Sequence, residues 1–255
     1  MSKDPKIVHV MPTSQSAGFY QRRTPLGFIL EEIMFERLIP LIGEKALEKI
    51  QNTHILLVGV GGVGGTALEA LIRSGIKNIT IIDGDFFTLN NLNRQILATK
   101  NDLNKSKVDV AIQKMISINE NINIKGINTY LNEDNIKYLK NYDFIIDACD
   151  DIKAKLLLIK YAEYKNIPII SALGTGKKLN PDNVVITTLD KTCNDKLAKK
   201  LRYEVKKENL NLKIPVCYSN EKAIENSKEI SSCIFVPSCA GLKIAHYIIE
   251  KVINS

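Results

Sequence analysis

The stretch that decides the fold is residues 54–66, HILLVGVGGVGGT, together with its continuation to Asp83. Residues 55–60 are an uncharged run of leucine and β-branched residues, which is typical of a strand buried on both faces. Glycines follow at once, and from Thr66 the apolar spacing becomes helical until Gly75. Residues 78–83, NITIID, then return as a second strand. The segment is therefore predicted to be a βαβ unit.

The first turn of this unit carries a G-x-G-x-x-G pattern, formed by Gly59, Gly61 and Gly64, with Gly62 as an additional glycine. Glycines here let main-chain N–H groups approach a phosphate at the positive end of the following helix. Asp83 lies 19 residues beyond Gly64, where a carboxylate can accept hydrogen bonds from ribose hydroxyls. The pattern favours a nucleotide ligand, and a tight packing turn or a nicotinamide or flavin site stay open alternatives.

Composition places the chain among ordinary globular proteins, with 255 residues, 45% hydrophobic and 25% charged. The net charge of +7 indicates either an anionic partner or a lysine-rich solvated surface. Five cysteines without a C-x-x-C pair argue against a disulfide framework and a structural zinc site. From this cysteine usage we expect a reduced, cytoplasmic setting. Since no signal-peptide pattern or long apolar run is visible, we expect a soluble protein without a membrane partner.

Strand and helix patterns continue to alternate along the chain. Further strands are expected at 123–131, 143–150 and 167–173, and helices at 105–116 and 153–164. This alternation predicts an α/β fold with a Rossmann-like, doubly wound, mainly parallel sheet. After Lys177 the pattern changes to a strand at 183–189 and helices at 195–207 and 238–253, which we interpret as antiparallel C-terminal additions.

The N-terminal part has a different character. Residues 1–30 contain several prolines and glycines without a sustained period, and are predicted to be an irregular extension. A helix from Glu31, with Pro40 ending a turn, and a second helix over 43–50 are expected to lead into the first strand.

Several polar residues fall at the predicted carboxyl edge of the sheet, where open α/β sheets bind ligands. Asn91, Arg94 and Gln95 follow the second strand. Lys107 lies in the first turn of the predicted helix 105–116, where its charge opposes the helix dipole. An anion nearby would explain this position, and a simple surface lysine is the alternative. Asp147 and Asp150 end another strand and are expected on the same rim, as Mg²⁺ ligands or as a cap of the next helix.

Basic residues concentrate in residues 177–213, which hold ten basic and five acidic residues. A solvated helix face and a footprint for a polyanion both explain such a segment. The concentration in one segment favours the polyanion.

Taken together, Gly59-x-Gly61-Gly62-x-Gly64, Asp83, Asn91-x-x-Arg94-Gln95, Lys107 and Asp147-Ala-Cys-Asp150 resemble the ubiquitin-activating-like adenylyltransferase superfamily over about residues 35–250. The resemblance implies ATP with Mg²⁺ rather than NAD. It also implies attack of a carboxylate on the α-phosphoryl group, giving an acyl adenylate and pyrophosphate.

The same resemblance assigns roles to residues of this chain. It implies that Asp83 holds the ribose, that Arg94 and Lys107 contact phosphates, and that Asp150 engages Mg²⁺. Asn91 and Gln95 would belong to the same nucleotide site. Arg37 resembles an arginine that the superfamily supplies from the partner subunit of a homodimer.

Residues 191–202, 216–221 and 234–242 resemble the superfamily members that cyclise a threonylcarbamoyl group on a tRNA adenosine. That resemblance implies one adenylyltransferase domain over 31–255, with an ATP-binding core at 52–176 and a tRNA side at 177–255. The expected tRNA contacts are Lys177, Lys178, Lys191, Lys199, Lys200 and Arg202. A cysteine desulfurase or sulfur acceptor is a further partner that the resemblance allows.

Three other functions stay open from the sequence. They are activation of the C-terminus of a small sulfur-carrier protein, an NAD-dependent oxidoreductase, and a non-catalytic binding module on the same fold. Cys217 could form a thioester or accept sulfur, but its apolar surroundings favour a buried, inert thiol.

Overall fold

The computed structural model describes residues 7–8, 33–224 and 231–255. Its strands are β1 (Ile7–Val8), β2 (His54–Val58), β3 (Asn78–Asp83), β4 (Asn123–Asn128), β5 (Phe144–Asp147), β6 (Ile169–Ala172), β7 (Val184–Thr188) and β8 (Pro215–Ser219). They form one sheet in the order β1-β4-β3-β2-β5-β6-β8-β7. In this order, neighbouring strands between β4 and β8 pair in parallel. The edge strands β1 and β7 pair antiparallel with β4 and β8. The predicted sheet, mainly parallel with an antiparallel C-terminal addition, is confirmed.

Helices cover both faces of this sheet. In the described residues they are α1 (Ile39–Ile42), α2 (Glu44–Asn52), α3 (Gly62–Arg73), α4 (Lys107–Ile118), α5 (Ile152–Lys165), α6 (Lys196–Lys207) and α7 (Phe235–Ile253). One apolar core joins the sheet to α3, α4 and α7. A second core, on the other face, joins it to α5 and α6.

Strand β2 shows why its sequence carries no alternation of polar and apolar residues. Ile55 and Leu57 point into the first core, whereas Leu56 and Val58 point into the second. All four side chains are buried, and each contributes roughly 1.5–3 kcal/mol through loss of apolar surface from water. A polar residue at any of these positions would lose that term and add a desolvation cost.

Two aspartates fix the start of the helices that reach the site. Asp151 caps α5 by accepting a hydrogen bond from the Ala154 N–H at 2.8 Å. Asp195 caps α6 by accepting bonds from the N–H groups of Leu197 and Ala198 at 2.8 and 3.1 Å. Such caps satisfy helix N–H groups that have no partner within the helix.

Some predicted boundaries are wrong for identifiable reasons. Helix α3 begins at Gly62 rather than at Thr66, because tertiary packing overrides the poor helix propensity of glycine. Pro40 lies in the first turn of α1 instead of ending a turn, as a proline needs no N–H donor there. Residues 7–8 form strand β1 within the extension predicted to be irregular. The rest of residues 1–32 lies outside the described residues.

Candidate functional site

A cleft of about 1280 Å³ lies at the carboxyl edge of β2, β3, β5 and β6. The structure brings most of the predicted site residues to this cleft. Those that line it are Gly59, Gly61, Gly62, Asp83, Arg94, Gln95, Lys107, Asp150, Lys177, Lys178, Lys199 and Arg202. The position agrees with the rule that open α/β sheets bind ligands at this edge.

The glycine turn forms the floor of the cleft, and its shape depends on two glycines. Gly59 has φ +91°, and a Cβ there would lie 2.6 Å from the carbonyl oxygen of Ala148. A Cβ on Gly64 would lie 1.9 Å from the carbonyl oxygen of Gly59. Larger residues are therefore excluded at both positions. Gly61 and Gly62 face the cleft at the start of α3, where main-chain N–H groups lack helical partners and can bind an anion.

Asp83 couples the end of β3 to the glycine turn. Its Oδ2 accepts a hydrogen bond from the Val60 N–H at 2.7 Å, and its Oδ1 accepts one from the Asp85 N–H at 2.8 Å. Burial raises the pKa of this carboxyl above its ordinary value, against the opposing effect of Lys107 and the two N–H groups. Each oxygen keeps a lone pair that a ribose hydroxyl can use.

Asp85, which the sequence patterns did not single out, bonds to two other side chains that line the cleft. Asp85 accepts a hydrogen bond from Lys107 Nζ at 2.7 Å through Oδ2, and one from the Tyr130 hydroxyl through Oδ1. Burial raises the pKa of Asp85, but the bonds from Lys107 and Tyr130 outweigh it and leave the pKa below its ordinary value. The hydrogen bond between Tyr130 and Asp85 raises the pKa of the Tyr130 hydroxyl to about 12. The anion beside Lys107, expected from the helix dipole, is therefore Asp85 within the chain.

The three predicted site residues in the amide-rich loop after β3 differ in burial and in hydrogen-bond partners. Asn91 is buried and caps its own turn, accepting from the Thr88 N–H at 3.1 Å, and it does not line the cleft. Arg94 donates to the Asn90 carbonyl and to Asn93 Oδ1 at 2.5 and 3.0 Å. Gln95 is buried, and its Oε1 has no hydrogen-bond partner in the described structure. This orphan acceptor beside the glycine turn is a place where a ligand or water can donate a bond.

The two acids after β5 separate into different environments. Asp147 is fully buried, where it accepts from Lys155 Nζ at 3.0 and 3.1 Å and from Ser171 Oγ at 2.5 Å. The expectation that Asp147 lies on the rim is therefore wrong, because its side chain points into the second face of the sheet. Asp150 is exposed on the cleft, and within the described residues no hydrogen bond or ion pair engages its carboxylate.

Comparisons with known proteins agree with this geometry. A family model described as the ThiF family matches residues 35–220. The chain belongs to the ThiF family. It is 32% identical over 233 residues to the tRNA threonylcarbamoyladenosine dehydratase of Bacillus subtilis (strain 168), covering 84% of this chain and 92% of that protein.

Two further matches to this ThiF family member, one in sequence and one in structure, come from Escherichia coli. A tRNA threonylcarbamoyladenosine dehydratase of strain K12 is 38% identical over 170 residues, which cover 66% of this chain and 63% of that relative. A crystal structure of the E. coli tRNA N6-threonylcarbamoyladenosine dehydratase in complex with ATP superimposes with a TM-score of 0.83 and 31% identity. That match covers 88% of this chain and 95% of the other.

The basic residues of this ThiF chain divide into internal and surface groups. Lys178 is buried, donating to the carbonyl oxygens of Gly174 at 3.1 Å and of Ser219; burial lowers its pKa. Arg202 donates to the Thr192 carbonyl at 2.8 Å. Both contacts hold the main chain, which does not fit a primary role in binding tRNA. Lys191, Lys199 and Lys200 are exposed, and Lys177 is half-buried at the cleft.

The remaining candidate residues, Cys217 and Arg37, do not line the cleft. Cys217 is buried, and burial raises its pKa to about 12, so that its thiol is protonated and inert at neutral pH. Arg37 is exposed in the turn between residues 35 and 39 and does not line the cleft of its own chain. None of the described helices has the length and apolar character needed to cross a membrane.

Proposed function

We propose that this chain uses ATP to dehydrate and cyclise the threonylcarbamoyl group of an adenosine in tRNA. The observation that carries the proposal is the meeting of the glycine turn, Asp83, Lys107 and the exposed Asp150 at one cleft. Similarity to dehydratases of that name over 84% of the chain supports the choice of substrate. We further propose a cytoplasmic enzyme whose residues 31–255 form one adenylyltransferase domain, after the extension 1–30.

The described residues fit ATP as substrate. The N–H groups at the start of α3 and the cations Arg94 and Lys107 would hold phosphates, and Asp83 would accept from ribose hydroxyls. Gln95 Oε1, which has no hydrogen-bond partner among the described residues, would accept a bond from the bound ligand or an ordered water. Asn91 acts through the loop whose turn it caps.

The described residues also fit a magnesium ion that arrives with ATP. They contain no cluster of three or more metal-binding side chains, and Mg²⁺ is commonly held by substrate phosphates with one or two carboxylates. Asp150 would be the carboxylate ligand. When bound, the ion would neutralise charge on the phosphates.

The proposed reaction has two steps. An oxygen of the substrate's carboxylate attacks the α-phosphorus of ATP, the bond from that phosphorus to the bridging oxygen breaks, and pyrophosphate leaves. A neighbouring group of the same substrate then attacks the activated carbonyl carbon, loses its proton and displaces AMP. Lys107 and Arg94 stabilise the charge that develops on the phosphorus oxygens. The net change in the nucleoside is loss of one water.

We infer a homodimer in which Arg37 of one subunit serves the site of its partner. The exposure of Arg37 outside its own cleft supports this arrangement. A sulfur-transfer partner stays a prediction.

The direct test is mass spectrometry of nucleosides from threonylcarbamoylated tRNA incubated with the protein and ATP. The expected product is lighter by one water, with equal amounts of AMP and pyrophosphate. Controls omit ATP or use tRNA that lacks the modification. Unchanged nucleoside mass with the intact enzyme and ATP would overturn the proposal.

Two measurements test the alternatives. Pyrophosphate release with a small sulfur-carrier protein, but not with the modified tRNA, would favour the carrier-activating function. A melting temperature raised by NAD and not by ATP would favour an oxidoreductase. ATP binding without AMP release would favour a non-catalytic module.

Asp85 is expected to position Lys107 for the phosphates. Replacing Asp85 with Ala removes the partner of both Lys107 and Tyr130, and should lower kcat/KM for ATP about 10- to 100-fold through misplacement of the cation. Tyr130→Phe keeps the ring and removes one hydrogen bond, so its loss should be about 5-fold. Asp134→Ala, at an exposed acid outside the cleft, is the control in a steady-state pyrophosphate assay. Wild-type kinetics for Asp85→Ala would contradict this role.

A further inference from the structure

Helix α6 carries a continuous basic surface that the reaction itself does not use. Its exposed residues follow helical spacing along one side, and we define them as the α6 surface: Lys196, Lys199, Lys200, Tyr203, Lys206 and Lys207. The opposite side of the helix, Ala198, Leu201 and Val205, is buried in the second core. The surface therefore has a fixed orientation toward solvent.

The position of the charges is not explained by the stability of the helix. Lys206 and Lys207 lie in the last turn, where cations favour the helix dipole. Lys196 and Lys199 lie in its first turn, where cations oppose the dipole, and Lys200 follows directly. Within the part of the chain that the structure describes, Lys199, Lys200, Lys206 and Lys207 form no ion pair. The helix carries exposed positive charge that an external anion can balance.

The α6 surface leads out of the cleft. Lys196 and Lys199 line the cleft, and the twelve residues of α6 extend about 18 Å along the helix axis. Asp195 Oδ2 accepts from the Gly174 N–H at 2.6 Å, which ties the start of α6 to the loop after β6. Arg202 ties the middle of the helix to the Thr192 carbonyl. A chain of phosphates leaving the cleft therefore meets a row of cations held in place.

Tyr203 lies in the middle of these lysines with 66% of its surface exposed. An aromatic ring in a basic surface suits single-stranded nucleic acid, since bases stack on the ring while lysines meet the backbone. Sequence-specific RNA recognition commonly targets loops whose bases are unstacked in this way.

We propose that the α6 surface binds the backbone of the tRNA loop that enters the cleft, and that Tyr203 stacks on one of its unpaired bases. This inference rests on the proposed function and deepens it, because it states where the tRNA loop around the reacting nucleoside binds the protein. Lys200 and Lys207 contact phosphates, whereas Lys178 and Arg202 serve the main chain of the protein.

The test measures binding of modified tRNA to the full chain over a range of salt concentrations. Lys200→Gln with Lys207→Gln should weaken binding and reduce the slope of log K against log[salt] by about 1.4–1.8, the value for two lost phosphate contacts. Tyr203→Ala should weaken binding roughly tenfold with an unchanged salt slope, and Tyr203→Phe should restore it, because only the ring is needed. ATP affinity should stay at the wild-type value in all three variants.

The chain offers a matched control surface. Tyr138 is 60% exposed between the exposed Lys137 and Lys140, and none of the three lines the cleft. Lys137→Gln with Lys140→Gln, and Tyr138→Ala, should leave tRNA affinity unchanged. Equal effects at both surfaces would show a nonspecific contribution of charge and overturn the inference.

The outcomes separate this inference from the function on which it rests. If the wild-type chain dehydrates tRNA and the α6 variants bind tRNA with wild-type affinity and salt slope, the binding role of the α6 surface is wrong and the proposed function stands. If the wild-type chain releases no water from modified tRNA but loses RNA affinity with the α6 variants, the surface stands and the dehydratase function is wrong. If the wild-type chain binds no tRNA, both are wrong.

Discussion

Replacing Lys107 with Met should reduce carboxylate-dependent pyrophosphate release by about 10²–10³-fold, the usual effect of removing one group that stabilises charge in a transition state. Lys107 begins α4, only 7% of its side chain is exposed, and its Nζ lies 2.7 Å from Asp85 Oδ2. A cation held this firmly needs little reorganisation when charge develops on the α-phosphoryl group. The measurement is kcat for pyrophosphate release at saturating ATP and modified tRNA.

Lys105→Met is the matched control, because Lys105 is exposed two residues earlier and does not line the cleft. It should keep wild-type kcat. Loss of Lys107 also leaves Asp85 without its ion pair, which could disturb the fold rather than the chemistry. Lys107→Met combined with Asp85→Asn removes that unpaired charge. If the double variant melts like wild type and still turns over within a few-fold of it, Lys107 has no catalytic role.

Local pattern was enough to predict the parts of the fold that depend on short runs of residues. Strand β3 was predicted with its observed bounds, since NITIID is apolar, β-branched and closed by Asp83. Helix α6 begins within one residue of its predicted start because Asp195 is a strong N-cap. The start of α3 could not be predicted in this way, because glycine is a poor helix former. The close neighbours of Gly62 and Gly64, which are Pro237 and the Gly59 carbonyl oxygen, are not visible in the local pattern.

The direction of individual side chains was beyond local pattern. Asp147 and Asp150 lie three residues apart at the end of the same predicted strand, but only Asp150 lines the cleft. Asp147 instead forms a buried ion pair with Lys155. The sequence pattern also places Lys178 among the tRNA contacts, because nothing nearby in sequence shows that its partners are the carbonyl oxygens of Gly174 and Ser219. Tyr130 and Asp85 are 45 residues apart. The only available signal for Asp85 was its position two residues after Asp83.

The largest effect on stability is expected at the buried ion pair of Asp147 and Lys155. Lys155 Nζ bonds to both Asp147 oxygens and, at 2.7 Å, to the Ala172 carbonyl, and neither side chain of the pair is exposed. Asp147→Ala or Lys155→Ala leaves one buried charge without its partner. Each should lower the free energy of unfolding by about 3–5 kcal/mol, as measured by denaturant unfolding at constant ATP concentration.

The Asp147–Lys155 pair is also expected to support the segment that carries Asp150. Asp147 Oδ1 accepts from the Cys149 N–H at 3.3 Å, at the start of the segment that carries Asp150 into the cleft. Replacing the pair by Asp147→Val and Lys155→Met removes both charges, and should cost less than the sum of the single variants because no unpaired charge stays buried. The segment would still lose its anchor, so ATP affinity in magnesium should fall while stability is largely recovered. Additive losses of stability in the double variant would show that the pair does not act as a coupled unit. Unchanged ATP affinity would show that the pair does not support Asp150.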